Sequence, residues 1–484
     1  MALKVSNNAL DCDDFLKRYD QLEVNETGKE PVVVYGRTAG SKLIFFDLVQ
    51  DGHKVQVVYN LQSTSHSAAV EEFAGFRRLV RRGDVYSVTG KPHRTPRGEL
   101  SIKATGVPKL LAPCLHAVPV DAHAHEDSPY DRHVQLLADK KARFVVQCRS
   151  HIIQYIRQFL LDRTFLEVDT PILASDAGGA IAKPFQTSAT EFPERQLSLR
   201  IAPELWLKRM VVGGLDKVFE IGPSFRNEGL DKTHNPEFTT CEFYHAYADL
   251  EKLLDMTETL LSGLSKFIHE HHEMSRNKVG GLDFSTPFRR IDFIPGIEEA
   301  IGRTLPNLQG SNATSELLQI FNDKSLTVPA NPTLPRLLDK LCAEYLEPQC
   351  QNPTFIINPP ECLSPLSKVF PHPTCNQRVA ARGELFIEGK EIVNTYEEEN
   401  SPVEQRRKFQ EQLQYRDQGD PANIDESYLQ ALEWGLPPTG GWGCGIDRLC
   451  MLFTDSKRIG DVLPFGNLRA VTRQQGSRED SPEK

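Results

Sequence analysis

Short runs rich in apolar residues recur through residues 31–115, reading PVVVYGRT, KLIFFDLV, KVQVVYNL, DVYSVTGK and ELSIKATGVPKL. Successive strand side chains point to opposite faces, so these runs predict five strands. Ser67 to Arg82, between the third and fourth, has helical spacing instead. Residues 143–169 predict a helix bearing Ile152, Ile153, Ile156, Phe159 and Leu160, then the strand FLEVDTPIL. RIAPELWLKRMVVGG reads as a strand and a helix, with Pro203 near the first turn, where proline is tolerated. Val218–Phe225 and Phe238–Tyr244 predict a long-looped antiparallel hairpin. The period of two puts Arg226 and Glu228 on one face, and Thr240, Glu242 and Tyr244 on one face of the returning strand. Residues 246–380 read as helices and loops, with Ile301–Thr333 polar and loop-like. A second hairpin is predicted over 381–399, turning near Gly389. Its Asn394, Tyr396 and Glu398 alternate, whereas Glu391 has the opposite parity, so a shared site requires a bulge or bend between them. Residues 402–432 form a charged helical region.

The flanks are polar. Residues 1–30 hold a short helix around Asp13 to Gln21 and neither a secretory apolar region nor an Arg-rich transit peptide. Residues 116–142 are a Pro/His/Asp-rich linker, and 471–484 are expected to be a disordered tail. At 484 residues the chain suffices for two or three domains. No stretch is long and apolar enough to span a bilayer, so no membrane partner is expected. The ten cysteines include no CxxC pair and read as reduced core thiols of an intracellular protein. His269, His271 and His272 read as a surface cluster, lacking an acid or cysteine at ligand spacing.

The net charge of −10 is distributed unevenly. Residues 31–110 carry 12 Lys+Arg against 6 Asp+Glu, a local net of +6. Five strands with a helix between the third and fourth suggest an OB-fold barrel, a common holder of single-stranded nucleic acid. Arg77, Arg78, Arg81 and Arg82 fit either an RNA contact or a solvated helix face. The polar hairpin 218–244 fits either a ligand site or a salt-bridged surface hairpin, since burying polar groups is costly without partners.

Two long motifs narrow these choices. FRNEGLDKTHNPEFTTCEFY, ending at Tyr244, resembles the second signature motif of class II aminoacyl-tRNA synthetases in its lysyl form, and GLPPTGGWGCGIDRLCMLFTDS (Gly435–Ser456) resembles the third. The resemblance runs from about Pro31 to Pro464 and implies an α+β chain. Its parts would be an N-terminal OB-fold anticodon-binding domain (31–115) and a catalytic domain (143–470) built on an antiparallel sheet flanked by helices. It implies an ATP-dependent lysine–tRNA ligase that makes lysyl-adenylate and transfers lysine to the 3′ end of tRNA(Lys). A non-catalytic tRNA-binding paralogue, or an aspartyl- or asparaginyl-type ligase, is the alternative.

The resemblance also implies roles. Arg226 and Arg448 would be catalytic cations at the phosphates; a guanidinium fork binds oxygens bidentately, and Arg448 sits in the first turn after GWGCG. Glu228, His234, Asn235, Phe238, Glu391, Ile392 and Gly445 would complete the ATP site, and Gly441 and Gly443 would let backbone approach the nucleotide. Glu384 and Glu391 would hold Mg2+. Gly179, Glu204, Glu242, Tyr244, Asn394, Tyr396 and Glu398 would bind lysine, the carboxylates and phenols suiting an ammonium. Arg37, Phe45 and Gln56 would meet the anticodon, Phe45 by stacking. A homodimer through Cys148–Leu173 is implied, as is a mitochondrial (matrix) location, with cytoplasmic as the alternative. The loop between Arg37 and Lys42 is shorter than the family's, and the linker YDRHVQLLAD departs from its pattern.

Overall fold

The computed structural model describes residues 12–20, 43–50, 53–61, 69–119, 130–175, 182–415 and 424–476. The expected strand PVVVYGRT with Arg37, and the loop bearing Gly178 and Gly179, lie outside these residues. Two compact units form, Met1–Ala124 with Ser128–Ala142, and Arg143–Lys484 with His125–Asp127.

In the first unit, α1 (Cys12–Tyr19) precedes β1 (Leu43–Gln50) and β2 (His53–Asn60). Helix α2 (Ala69–Leu79) then leads to β3 (Val85–Ser87), β4 (Gly90–Arg94), β5 (Leu100–Ala104) and β6 (Lys109–Ala112), and α3 (Arg132–Ala138) closes the unit. One sheet runs β1-β2-β5-β4, with β2 and β5 parallel, and β3 pairs with β6. Two expected strands are therefore each broken in two. Alternation puts Ile44, Phe46 and Leu48 into the core with Val55, Val57 and Tyr59. Phe15 of α1 is buried in the same core, so this helix packs on the barrel. Phe45 points outward, 41% exposed. Gln56, opposite Asp47 in the register, shares that outer face, and its amide donates to Glu99 at 2.9 Å.

The second unit begins with α4 (Lys140–Leu161), β7 (Leu166–Glu167), β8 (Leu173–Ala174), β9 (Gln186–Ala189), β10 (Phe192–Leu199) and α5 (Glu204–Val212). The hairpin β11 (Lys217–Phe225) and β12 (Glu237–Ala246) follows, then α6 (Leu250–His271), α7 (Arg276–Gly280) and β13 (Arg289–Asp292). Next come α8 (Phe293–Ile301), α9 (Ala313–Asp323), α10 (Leu334–Tyr345), β14 (Thr354–Ile357), β15 (Val369–Pro371) and β16 (Arg378–Ala380). The chain ends through β17 (Arg382–Ile387), β18 (Lys390–Glu397), α11 (Pro402–Leu413), α12 (Glu426–Leu432), β19 (Thr439–Gly445), α13 (Ile446–Thr454), α14 (Ile459–Val462) and α15 (Leu468–Gly476).

An eight-stranded sheet, ordered β13-β14-β17-β18-β19-β12-β11-β7, forms the frame. Its six inner strands are antiparallel, and β13 and β7 add in parallel at the edges. One face packs on α4, α6 and α13, burying Ile152, Ile156, Leu253, Leu260 and Leu449 with Phe243 and Trp442. The β17–β18 turn holds Glu388 and Gly389 at φ 52° and 67°, as a two-residue turn of matching twist requires.

Three expectations change. Ile301–Thr333 is not all loop, for α9 buries Leu317, Ile320 and Phe321 at helical spacing. FLEVDTPIL is not one strand; Thr170 turns its backbone N–H and hydroxyl to Glu220, at 3.1 and 2.6 Å, and only two residues pair on either side. His272 is no surface residue, being 7% exposed with Nε2 at 2.9 Å from His151 Nδ1. The apolar side of α4 is buried in this chain's own core, whereas Leu161, Leu166, Ile172 and Leu173 beyond it are exposed.

Candidate active site

The site lies over β12, β19 and β18, where two rows of residues meet by register. Glu242, Gly443 and Asn394 form one row, and Tyr244, Gly441 and Tyr396 the next. Alternate glycines on the middle strand leave room between the flanking side chains. A Cβ on Gly441 would overlap Glu398 Oε1 and the Tyr244 ring. The result is a cavity of about 950 Å³. Gly443 and Gly445 line it, while Gly441 lies against Glu398 and Tyr244 instead of serving the nucleotide end.

At one end stand the arginines. Arg226 and Glu228 lie beyond the paired strand, and the Glu228 N–H bonds to the Arg226 carbonyl at 2.8 Å. The expected strand alternation therefore does not relate them, although both line the cavity. Arg226 sits 5.1 Å from the Phe238 ring centroid, and its Nε reaches Ile201 O at 3.5 Å. Arg448, in the first turn of α13, donates to the carbonyl and carboxylate of Glu391 at 3.1 and 3.2 Å and stands 3.0 Å from His234 Nε2. Asn235 lines the cavity, yet its amide is engaged by Glu237 O at 2.6 Å and by the Leu468 N–H at 3.1 Å, so it shapes the loop. Below, Arg149 pairs with Asp447 and donates to Thr239 at 2.8 Å, while Asp447 accepts from Thr239 N at 2.7 Å. That cluster ties α4, β12 and α13 into one base.

The bulge demanded by parity is present. Leu385 pairs with Val393 and Phe386 with Glu391, leaving Ile392 extra. Glu384, Glu391, Ile392, Asn394 and Tyr396 consequently all line the cavity. Arg382, which sequence reasoning missed, organises this wall. It donates to Asn394 at 3.0 Å, pairs with Glu384 and stacks 5.2 Å from the Tyr396 ring centroid. Its parity with Glu384 on one strand was the available signal.

The other end is acidic and its carboxylates are buried. Burial and the neighbouring Glu204 push the Glu242 carboxyl up to about 8; among the described residues its one hydrogen bond comes from the Tyr244 hydroxyl, at 3.4 Å. Glu398 differs from expectation: it does not line the cavity but is fully buried behind it, paired with Lys208. Lys208, also missed, is 0% exposed and meets Glu204 at 2.6 Å. Burial opposes its charge, but Glu204 and Glu398 outweigh that and hold its pKa well above the usual value. Burial raises Glu398 to about 8 despite Lys208, and its Oε1 has no hydrogen-bond partner. Two of the three buried carboxyls, Glu204 and Glu398, thus share one internal ammonium, and Glu242 stands apart from it.

Comparison with known proteins agrees with this geometry. Residues 125–469 match the family described as tRNA synthetases class II (D, K and N), and residues 32–110 match the OB-fold nucleic acid binding domain. The chain belongs to the class II tRNA synthetases. A mitochondrial lysine–tRNA ligase of Schizosaccharomyces pombe is 43% identical over 90% of this chain and 82% of the relative. A lysine–tRNA ligase of Cladosporium cladosporioides is 41% identical over 94% and 79%, and a probable cytoplasmic lysine–tRNA ligase of Encephalitozoon cuniculi 40% over 94% and 91%. Within its family the chain falls among the lysine–tRNA ligases.

Proposed function

We propose that this cavity joins L-lysine to ATP and passes the lysyl group to tRNA(Lys), with the residues in the following roles. The lysine carboxylate attacks the α-phosphorus, pyrophosphate leaves, and the terminal ribose of the tRNA then takes the lysyl group from the adenylate. The reaction unites two anions, so fixed positive charge matters more than a general base. Arg226 and Arg448 supply it, Phe238 stacks on adenine, and Glu228, His234, Ile392 and Gly445 complete the nucleotide site.

The observation that carries the lysine reading is the shortage of cations at the acidic end. Glu242 is held near neutrality by burial beside Glu204, and a substrate ammonium restores the balance. Glu204 serves the α-amino group, and Asn394, Tyr244 and Tyr396 frame the chain. Gly179 is carried over from the resemblance alone. Pyrophosphate exchange run separately with lysine, aspartate and asparagine tests this, followed by charging of tRNA(Lys). Exchange with aspartate and not lysine would reverse the assignment.

A proton balance follows. Free Glu242 is largely protonated below its raised pKa, and a bound ammonium favours the carboxylate, so lysine binding expels a proton. Lysine affinity should therefore rise between about pH 6 and pH 8, and calorimetry in buffers of different ionisation enthalpy should register proton release. A flat profile would place the ammonium elsewhere.

Mg2+ fits Glu384 and Glu391. Burial, with Glu391, Asp339 and Glu347 close by, raises Glu384 to about 7 even beside Arg382. Among the described residues no three such groups form a complete cage, but Mg2+ needs only one or two carboxylates where phosphates finish its shell. Bound there it would screen the ATP phosphates.

Phe45 and Gln56 share the outer barrel face and would meet the anticodon, with Arg37. Phe45→Ala should weaken tRNA charging by ~1–3 kcal/mol while lysine-dependent exchange stays near normal. Equal loss in both assays would point to a different role for the barrel.

The homodimer reading rests on the exposed Leu161, Leu166, Ile172 and Leu173, an apolar set beside the two-residue edge strand β7. Light scattering at micromolar concentration should return twice the chain mass; a fully active monomer would refute the dimer. For compartment, the reading favours the mitochondrial matrix over the cytoplasm, on the relatives named mitochondrial from S. pombe and Saccharomyces cerevisiae, against cytoplasmic ones at similar identity. Fractionation of the tagged native protein decides between them.

A further inference from the structure

Away from the cavity, the hairpin β15–β16 closes over a second chemical group. His372 Nε2 lies 2.9 Å from Asp292 Oδ2, and its Nδ1 lies 3.3 Å from Cys375 Sγ. Backbone N–H groups of Thr374 and Cys375 also approach Nδ1, at 3.4 Å, so Nδ1 acts as an acceptor and Nε2 carries the proton toward Asp292. That tautomer leaves a lone pair facing the thiol. Asn358 donates to the same Asp292 oxygen at 3.3 Å, and the other oxygen, Oδ1, is buried without a hydrogen-bond partner among the described residues. The imidazole is buried, while Cys375 is partly exposed. Nucleophile, base and orienting acid are thus in sequence, with the cysteine only partly covered. None of the three lines the large cavity.

We propose that Cys375 is an activated thiol, a modification site for small electrophiles and peroxides, with His372 as its proton acceptor and Asp292 as the residue that orients the ring. With a peroxide, Sγ attacks one oxygen; the S–O bond forms as the O–O bond breaks. The thiol proton passes to His372 Nδ1 and on to the departing hydroxide, which leaves as water. Sulfur is oxidised to the sulfenic acid, and the peroxide is reduced.

The test uses the full chain at near-neutral pH with limiting iodoacetamide, each cysteine followed by peptide mass spectrometry. Cys114, also partly exposed but bonded to a backbone carbonyl, is the internal reference. Cys375 should alkylate at least about tenfold faster than Cys114, and dilute peroxide should give a dimedone adduct there. Asp292→Asn, which keeps the side-chain shape, and His372→Gln should each bring Cys375 toward the Cys114 rate. A thermal melt shows whether each variant is folded; should His372→Gln not fold, Asp292→Asn decides. Equal rates in the unaltered chain would overturn the proposal. So would a fast Cys375 that the folded variants leave unchanged, since exposure alone would then explain it.

Discussion

Glu242→Gln and Glu398→Gln should each lower kcat/KM for lysine by about 10- to 1000-fold in pyrophosphate exchange, with ATP binding little altered. Each change preserves shape and removes one buried carboxylate. Hydrogen bonds to charged groups contribute roughly 1.5–3 kcal/mol, and a buried charge left short of partners costs more. At about 1.4 kcal/mol per decade, that range gives the stated loss. The structure separates the two variants. Among the described residues Glu242 makes one long hydrogen bond, from the Tyr244 hydroxyl, so Glu242→Gln should leave the melting temperature nearly unchanged. Glu398 also neutralises Lys208, so Glu398→Gln should in addition lower thermal stability. The effects on lysine should fall short of additive, because both acids serve one set of ammonium groups. Wild-type lysine affinity in both variants would remove the basis for the lysine site.

Arg226→Ala should act on kcat, lowering exchange at saturating lysine and ATP by about 100- to 1000-fold, the scale of losing one preorganised donor to a developing oxyanion. Among the described residues its guanidinium makes one long hydrogen bond, at 3.5 Å to Ile201 O, so the fold should barely register the loss. Arg226→Lys should recover only part of the rate, since an ammonium keeps the charge but loses the two-pronged geometry. A drop confined to KM would assign Arg226 to ground-state binding alone.

The parts of this site that could be read from residue order are those where short-range periodicity dominates. Alternation on β12 and β18 put Glu242 with Tyr244, and Asn394 with Tyr396. The opposite parity of Glu391 demanded the bulge found at Ile392. Elsewhere, long-range partners set the outcome. Glu398 continues the alternation yet turns away from the cavity, because Lys208, on a helix far away in sequence, claims its charge. Arg226 and Glu228 leave the strand pattern one residue past its end. In FLEVDTPIL, Glu220 from the neighbouring strand captures Thr170 and breaks a run that local propensity favours. In α9, four buried apolar residues are enough for a helix whose polar flanks concealed it.

The bare positions of β19 have a consequence for anyone wishing to change what this enzyme accepts. Gly443 leaves the depth of the acidic end bounded by main chain on that side. Every substitution at Gly443 adds atoms to the cavity floor, so mutation of this strand can shorten the accommodated side chain but never lengthen it. A longer or branched amine must gain its room from Tyr244 or Tyr396, the side chains that face each other across the glycine row. A library aimed at new substrates should therefore vary those two tyrosines and hold the glycines constant.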